Sequence, residues 1–581
     1  MSLSMFRISE EKFRAVMKYR WHVVLFLAIV AVVYICYGAT LDHPFIWDDY
    51  GMICDNIFIT DWSFIGDIFR SSSFGMEDAG ICPYYRPLPT LTFLVNYKLS
   101  GMDPHVFREV NIWINILNAF LVFLVLSRFG LSRRAASAVA LIFCAHPVNI
   151  ETVTLIAGRV DSLFIFFGMI SLLALTTYSA NGRRTMLAVS FFAFILSFLC
   201  NEKAISFAAI EVIYYFLYER NKRDRSVEIC ISAVILFTYF YLVNKINFLV
   251  ALPASMSSHI AIASMHDRIA TFPRILFTYF RLIFAPTGLY AEYHFVETGI
   301  LNRYLLIWTP VILGGVYAMI RHLKYSREAG LFAFWVFSSV LIYNNVVYAH
   351  TATFREHWVC MGVIGAFALV ALFLGRLAAG KKIKWKALLL CFFAAYMGFL
   401  CYNTIARNKE WADPLVLYGA DLAREPRNSS FASNLALEYL KRGELDKANE
   451  LYLRALRNAP YNMDTKSLVG IAYIMEERGQ NGMAAFWYHK ALRQSEIPFA
   501  YERLAELAIS ASDYGYAGYL LERAINRYPG ILGFYLDLGR VYMLKGDYMA
   551  AREILGPLKE LDEAREYLDE IERTAPGDGQ H

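Results

Sequence analysis

Two adjacent carboxylates, Asp48 and Asp49, stand in the run Phe45-Ile46-Trp47-Asp48-Asp49-Tyr50, shortly after an apolar stretch. A carboxylate kept close to apolar surface is costly to ionise, and one whose pKa is raised in this way can act as a general base on an attacking hydroxyl. The competing reading is a plain polar cap at a helix end. Four further clusters carry ionisable groups: Tyr84-Tyr85-Arg86-Pro87-Leu88, His146-Pro147-Val148-Asn149-Ile150-Glu151, Gly158-Arg159-Val160-Asp161 and Asn201-Glu202-Lys203. A fifth is Phe354-Arg355-Glu356-His357. A guanidinium fork matches a phosphate, so Arg86, Arg159, Arg355 and the ammonium of Lys203 are candidates for holding a lipid-phosphate headgroup. For each the alternative is a snorkelling or ion-paired structural residue. Tyr85, His146, Glu151, Asp161, Glu202, Glu356 and His357 are candidate supporting residues. His146 and Glu151 are metal-ligand types without a clear third ligand, so a divalent metal is unsupported and capping of a helix end accounts for them better.

These clusters need a scaffold, and composition says which kind. The chain has 581 residues, 57% hydrophobic and 18% charged, with a mean hydropathy of +0.38. Apolar residues fill most of the stretch from Trp21 to Ile405, and beyond Asn408 the sequence becomes charged, Ala-rich and periodic. A helix needs roughly 20 apolar residues to cross a bilayer. Runs of that kind fall at 22–40, 109–127, 134–148, 160–180, 186–200, 204–219, 228–244, 303–320, 329–348, 357–375 and 386–405. The segment 269–286 is interrupted by Arg274 and Arg281 and is read as re-entrant or interfacial. The net charge of +5 sits in short clusters between apolar runs, which fits cytoplasmic loops better than nucleic-acid binding.

The basic residues Arg7, Lys12, Arg14, Lys18 and Arg20 put the first 21 residues in the cytoplasm. About eleven spans then place the loop 41–107, every ionisable cluster above and the chain after Asn408 on the non-cytoplasmic side. The first span lacks a small-residue cleavage site and is read as an anchor. Cys54 and Cys82 share the long loop and could pair in an oxidising compartment. The other cysteines lie mostly in apolar runs, as small buried hydrophobes do.

The segment 408–575 reads as about four tetratricopeptide repeats of about 34 residues, with 576–581 a disordered tail. Gly443…Ala448, Gly479…Ala484, Ser512…Ala517 and Gly546…Ala551 repeat one turn-to-alanine offset, and Ala455, Ala491 and Ala524 follow. The small residues mark where antiparallel helices touch, while Tyr439, Leu440, Tyr452, Tyr473, Phe486, Leu504 and Tyr542 are expected to fill the stacked core. The fold class is all-α: a polytopic helical domain over 22–407, then an α-solenoid.

The ordered set Asp48-Asp49, Tyr85-Arg86-Pro87-Leu88 with Asn96, Asn111, His146-Pro147-Val148 with Glu151, Gly158-Arg159-x-Asp161, Glu202 and Arg407-Asn408-x-Glu410-Trp411 leading into repeats resembles the TMTC proteins. These are transmembrane and tetratricopeptide-repeat-containing O-mannosyltransferases of the GT-C superfamily, and the short repeat array suits a bacterial relative. The resemblance implies a polyprenyl-phosphate-linked sugar donor, dolichyl or undecaprenyl, and Ser/Thr hydroxyls of secreted or envelope proteins as acceptors. It also implies that Asp48 or Asp49 serves catalysis and that the repeats hold an acceptor polypeptide. Glu356-His357-Trp358-Val359 departs from the tyrosine and proline that relatives often carry after the pair. Beside this reading stand a lipid or polysaccharide acceptor for the same donor, a non-enzymatic scaffold, and, more weakly, a transporter. The expected location is a bacterial inner membrane with the repeats in the periplasm, or an endoplasmic reticulum membrane with the repeats in the lumen.

Overall fold

The computed structural model describes residues 2–71, 85–218, 259–299, 302–323, 326–346, 349–350, 352–379, 383–459 and 464–574. The expected span 228–244 and Cys82 lie outside the described residues, so the proposed Cys54–Cys82 pair does too. The chain divides into two compact units, and among described residues the division falls between Glu425 and Pro426.

The first unit is helical. Its longer helices are α1 (Ser2–Tyr37), α2 (Pro87–Ser100), α3 (Pro104–Arg128), α4 (Arg133–Ala145), α5 (Arg159–Asn181), α6 (Arg184–Cys200), α7 (Ile205–Tyr218), α8 (Met265–Phe284), α9 (Arg303–Leu323), α10 (Arg327–Leu341), α11 (Cys360–Ala378), α12 (Ile383–Glu410) and α13 (Pro414–Arg424). Their starts follow local chemistry. Proline occupies the first turn at Pro87, Pro104 and Pro414, where no amide donor is needed, and the side chains of Asp103, Ser132 and Asp413 accept from the free first-turn amides. Five stretches among the described residues are long and apolar enough to cross a membrane: Arg20–Thr40, Pro104–Arg128, Arg159–Asn181, Glu356–Ala378 and Ile383–Glu410. The pair Arg133–Ala145 and Pro147–Val153, bent by 53°, makes a sixth if it is one broken span. The chain is a multi-pass membrane protein. Val23, Val24, Leu27, Leu388, Leu390 and Phe392 are exposed on these helices, and Phe192 on the shorter apolar helix α6, as apolar side chains facing lipid are.

Helix α8 spans the segment read as re-entrant or interfacial. It is one continuous helix, in which Arg268 donates to the carbonyls of Asn345 and Val346 and Arg274 pairs with Glu297 at 2.8 Å. A two-residue antiparallel bridge joins β1 (Glu292–Tyr293) to β2 (Phe354–Arg355), with Glu292 opposite Arg355.

The second unit is a stack of helical hairpins: α14 (Ser429–Lys441), α15 (Leu445–Asn458), α16 (Thr465–Glu477), α17 (Asn481–Gln494), α18 (Pro498–Ser510), α19 (Tyr514–Arg527), α20 (Leu532–Leu544) and α21 (Tyr548–Leu555), followed by α22 (Asp562–Thr574). Ala448, Ala484, Ala517 and Ala551 are fully buried, as are Ala455, Ala491 and Ala524. Four residues after each first alanine comes the large residue that fills the stack: Tyr452, Tyr488, Leu521 and Leu555, all essentially without exposure. This corrects one expectation. Phe486 is 55% exposed, because the core position one helical turn beyond Ala484 belongs to Tyr488. Tyr452 and Leu504 are buried, and Tyr439, Leu440, Tyr473 and Tyr542 are half-buried. Each hairpin turn needs a left-handed residue, at Gly443 (φ +76°), Gly479 (+71°), Ser512 (+59°) and Gly546 (+76°). Glycine adopts this conformation without a Cβ penalty, whereas Ser512 does not.

Candidate active site

The run after α1 is tied down by a buried arginine on α3. Arg108 donates to the carbonyl oxygens of Leu41 (3.1 Å), His43 (2.7 Å), Pro44 (3.1 Å) and Thr154 (2.9 Å). The loop is thereby stitched to the segment 153–158, and the two acidic residues diverge. Asp49 is fully buried; its Oδ2 accepts from the Ile46 amide at 3.1 Å and its Oδ1 from the Ala157 amide at 2.7 Å. Asp48 keeps partial exposure. Burial pushes the Asp49 carboxyl up to about 7, against the opposing pull of the Ala157 amide and of Arg108. Asp49 therefore spends both oxygens on backbone and acts as a clamp.

Segment 153–158 is held from the other side as well. The Asn111 side-chain amide donates to Val153, Leu155 and Ile156 at 3.2–3.3 Å, and its oxygen accepts from Arg159 Nε at 2.7 Å. The remaining contacts of Arg159 run to Thr92, to Asn96 Oδ1 (2.5 Å) and to the Phe107 carbonyl (2.7 Å), and its guanidinium stacks over Phe93. Arg159 is fully buried and its donors are committed to neutral acceptors. Close approach at Gly158 makes this possible: a Cβ there would sit 1.9 Å from the Glu151 carbonyl oxygen. The resulting turn brings Glu151 and Asp161 together.

Between them lies His357, its Nδ1 2.7 Å from Glu151 and its Nε2 3.4 Å from Asp161. Asp161 also receives Lys203 Nζ at 2.7 Å and Asn201 Nδ2 at 2.8 Å. Arg86 makes a two-point contact with Glu202, at 2.7 and 3.2 Å. Burial alone would raise the Glu202 carboxyl, but the Arg86 guanidinium outweighs it and holds the group below the usual carboxylate range. The bridge β1–β2 adds Arg355 paired with Glu292, with His294 3.4 Å from the same carboxylate. Glu151 lies within electrostatic reach of Arg355, Asp161, Glu292 and Lys203, so these groups form one cluster. Three basic side chains (Arg86, Lys203, Arg355) face four acidic ones (Glu151, Asp161, Glu202, Glu292), with His357 between two of them. An incoming phosphate must compete with Glu202 and Glu292 for the guanidinium forks.

The structure thus brings Arg86, Glu151, Asp161, Glu202, Lys203, Arg355 and His357 together. Other candidates point elsewhere. His146 accepts from the Val148 amide and donates to the Ile283 carbonyl at 3.0 Å, a buried capping role. The Tyr85 hydroxyl donates to Phe69 O at 3.1 Å. Glu356 accepts from the Tyr290 amide (2.7 Å) and the Tyr293 hydroxyl (3.1 Å), bracing the bridge behind Arg355. Glu292 and Arg108 were not anticipated. The polar run Tyr290-Ala291-Glu292-Tyr293-His294 between apolar segments was the available signal for the first; nothing local marks the second. Among the described residues no three His, Cys, Asp or Glu side chains are arranged to hold a metal ion.

No family model matches the chain. The mouse protein named protein O-mannosyl-transferase TMTC3 is 21% identical over 92% of this chain and 63% of its own length. A Caenorhabditis elegans protein O-mannosyl-transferase, F38B6.6, is 24% identical over 75% of this chain and 62% of its own. The chain therefore spans under two thirds of the length of these curated relatives. Among solved structures, ArnT from Cupriavidus metallidurans bound to undecaprenyl phosphate aligns over 80% of this chain and 79% of that one, with 16% identity and a TM-score of 0.38. Along most of its length this chain is similar to the TMTC protein O-mannosyl-transferases.

Proposed function

We propose that the chain is a membrane glycosyltransferase that moves mannose, or a similar hexose, from a polyprenyl-phosphate donor to Ser/Thr hydroxyls of polypeptides on the non-cytoplasmic face. The observation that carries this reading is the pairing of a partly exposed carboxylate with a cationic cluster. Trp47, next to Asp48, lies under the Arg355 guanidinium, 5.6 Å from ring centre to Cζ.

In this reading Asp48 is the general base and Asp49 its positioning residue. The acceptor hydroxyl attacks the anomeric carbon, its proton passes to Asp48, and the bond from that carbon to the phosphate oxygen breaks. The leaving polyprenyl phosphate gathers negative charge, which Arg355, Lys203 and Arg86 offset. Preorganised cations in a dry site are where most of the barrier lowering arises. Glu151, His357 and Asp161 hold Lys203 in place. Arg159 is assigned to shaping the 153–158 turn rather than to phosphate. The repeats bind the acceptor polypeptide, contributing binding energy away from the reacting carbon.

The test is transfer of mannose from a synthetic polyprenyl-phosphate donor to a Ser/Thr peptide by the full chain in nanodiscs. Asp48→Asn should lower kcat by about 10²–10⁴-fold with an unchanged melting midpoint. Undiminished transfer by Asp48→Asn removes the assignment. Transfer to lipid with none to peptide moves the acceptor to the lipid class.

A further inference from the structure

Trp47 sits where a tryptophan is costly. Its φ is +55°, a left-handed backbone that bulky L residues rarely adopt. The Asp49 amide donates to the Ile46 carbonyl at 3.0 Å, and the Asp49 carboxylate accepts from the Ile46 amide. Together these contacts close a turn with Trp47 and Asp48 at its tip. A turn with positive φ at its first central position ordinarily carries glycine, asparagine or aspartate. Here the position holds a large, half-buried indole.

The ring's surroundings give that placement a purpose. The indole stacks on Trp411, with centroids 6.3 Å apart and planes 29° from parallel. Trp411 in turn lies beneath the Arg407 guanidinium at 5.9 Å, and Arg407 makes a two-point ion pair with Asp421 at 2.7 and 3.0 Å. Trp47 is therefore braced by a buried, ion-paired anchor. The same indole meets Arg355, the guanidinium that β2 presents to the cluster. A cation over an indole is held by the ring quadrupole and keeps its N–H edges available to an anion.

We propose that Trp47 is a positioning residue that fixes the Arg355 guanidinium relative to the Asp48 carboxylate, so that the group receiving the phosphate and the group receiving the proton move as one unit. The inference rests on the roles of Asp48 and Arg355 proposed above. The tight turn sets Asp48 through the backbone, and the ring face sets Arg355 through space. A left-handed tryptophan satisfies both at once, which glycine at the same position does not.

The experiment uses the full chain in nanodiscs. It measures kcat and KM for a mannosyl-phosphate polyprenol donor, and separately the binding of polyprenyl phosphate alone. Trp47→Gly relieves the backbone conformation and removes the ring; it should raise donor KM and weaken polyprenyl phosphate binding at least fivefold. Trp47→Phe should restore both to within threefold of the parent, and Trp47→Leu, apolar but without a π face, should not. In the Arg355→Lys background Trp47→Gly should add less than a twofold further loss, because the coupled interaction is already impaired. Trp47→Leu matching Trp47→Phe, or full additivity of the two substitutions, overturns the proposal by reducing the ring to filler. If the parent chain binds polyprenyl phosphate in a Trp47-dependent way but transfers no sugar, the glycosyltransferase reading fails while the coupling of Trp47 to Arg355 stands.

Discussion

Replacing Asp49 by asparagine separates the clamp from the chemistry and has a sign that changes with pH. In the parent, both carboxylate oxygens accept backbone amides, from Ala157 at 2.7 Å and Ile46 at 3.1 Å. Asparagine offers one acceptor and turns an NH₂ toward the second amide, leaving a buried donor unsatisfied at about 1–3 kcal/mol. Against this stands the cost of the charge itself. The folded-state carboxyl titrates at about 7, above the unfolded value of about 4. The folded chain therefore binds more protons than the unfolded one across that window, and stability falls as pH rises from 4 to 7. The full loss is about 4 kcal/mol, by about 1.4 kcal/mol per pH unit. Below pH 4.5, where Asp49 is a neutral acid whose hydroxyl oxygen can still accept weakly, the Asp49→Asn variant should be the less stable by about 1 kcal/mol. By pH 8 the order should reverse, since the variant has no charge to bury. Melting midpoints of both proteins in nanodiscs at pH 4.5, 6 and 8, recorded at one scan rate, decide it. Curves that stay parallel across the range would refute the argument that burial dominates at Asp49.

Three further outcomes follow from individual contacts. Glu202→Gln removes the competitor for the Arg86 fork, so polyprenyl phosphate should bind several-fold more tightly, read as Kd by titration; unchanged or weaker binding means Arg86 does not meet the phosphate. Gly158→Ala drives a Cβ to within 1.9 Å of the Glu151 carbonyl; separating the two backbone segments should cost roughly 3 kcal/mol or more, as overpacking and lost hydrogen bonds do, and lower the melting midpoint more than Gly182→Ala, which meets open space and is strained only by its left-handed φ of +68°. Ser512→Gly should stabilise the repeat unit by about 1 kcal/mol, because it removes a left-handed Cβ penalty, read by hydrogen exchange of the α18–α19 hairpin; Gly479→Ala should shift its own hairpin the opposite way.

What could be read directly depended on local patterns. Five of the apolar runs coincide with described helices long and apolar enough to cross a membrane, because length and hydropathy suffice for that judgement. The repeat period and the buried alanines were legible because a hairpin stack imposes its spacing on every unit. Even there, a two-residue shift separated the expected core residue Phe486 from the actual one, Tyr488, since the alanine spacing marks a helix face only to within half a turn.

The chemistry-bearing residues were visible by type, but their partners were not. Asp48 and Asp49 are chemically alike and adjacent in the chain. Only the fold, by bringing the Ala157 amide to one of them across 108 residues, makes Asp49 a clamp and leaves Asp48 partly exposed. Arg159 and Arg355 were equal candidates for phosphate. The structure commits the first to Asn111, Thr92, Asn96 and the Phe107 carbonyl, and sets the second beside Glu292 and over Trp47. Arg86 meets Glu202 across 116 residues. The sequence by itself determined an all-α membrane protein with a repeat array and a short roster of ionisable groups, because hydrophobic periodicity is a local property. Tertiary structure alone decided which groups are spent on holding the backbone and which gather into one ionisable cluster, because burial and charge pairing are set by residues that distance along the chain conceals.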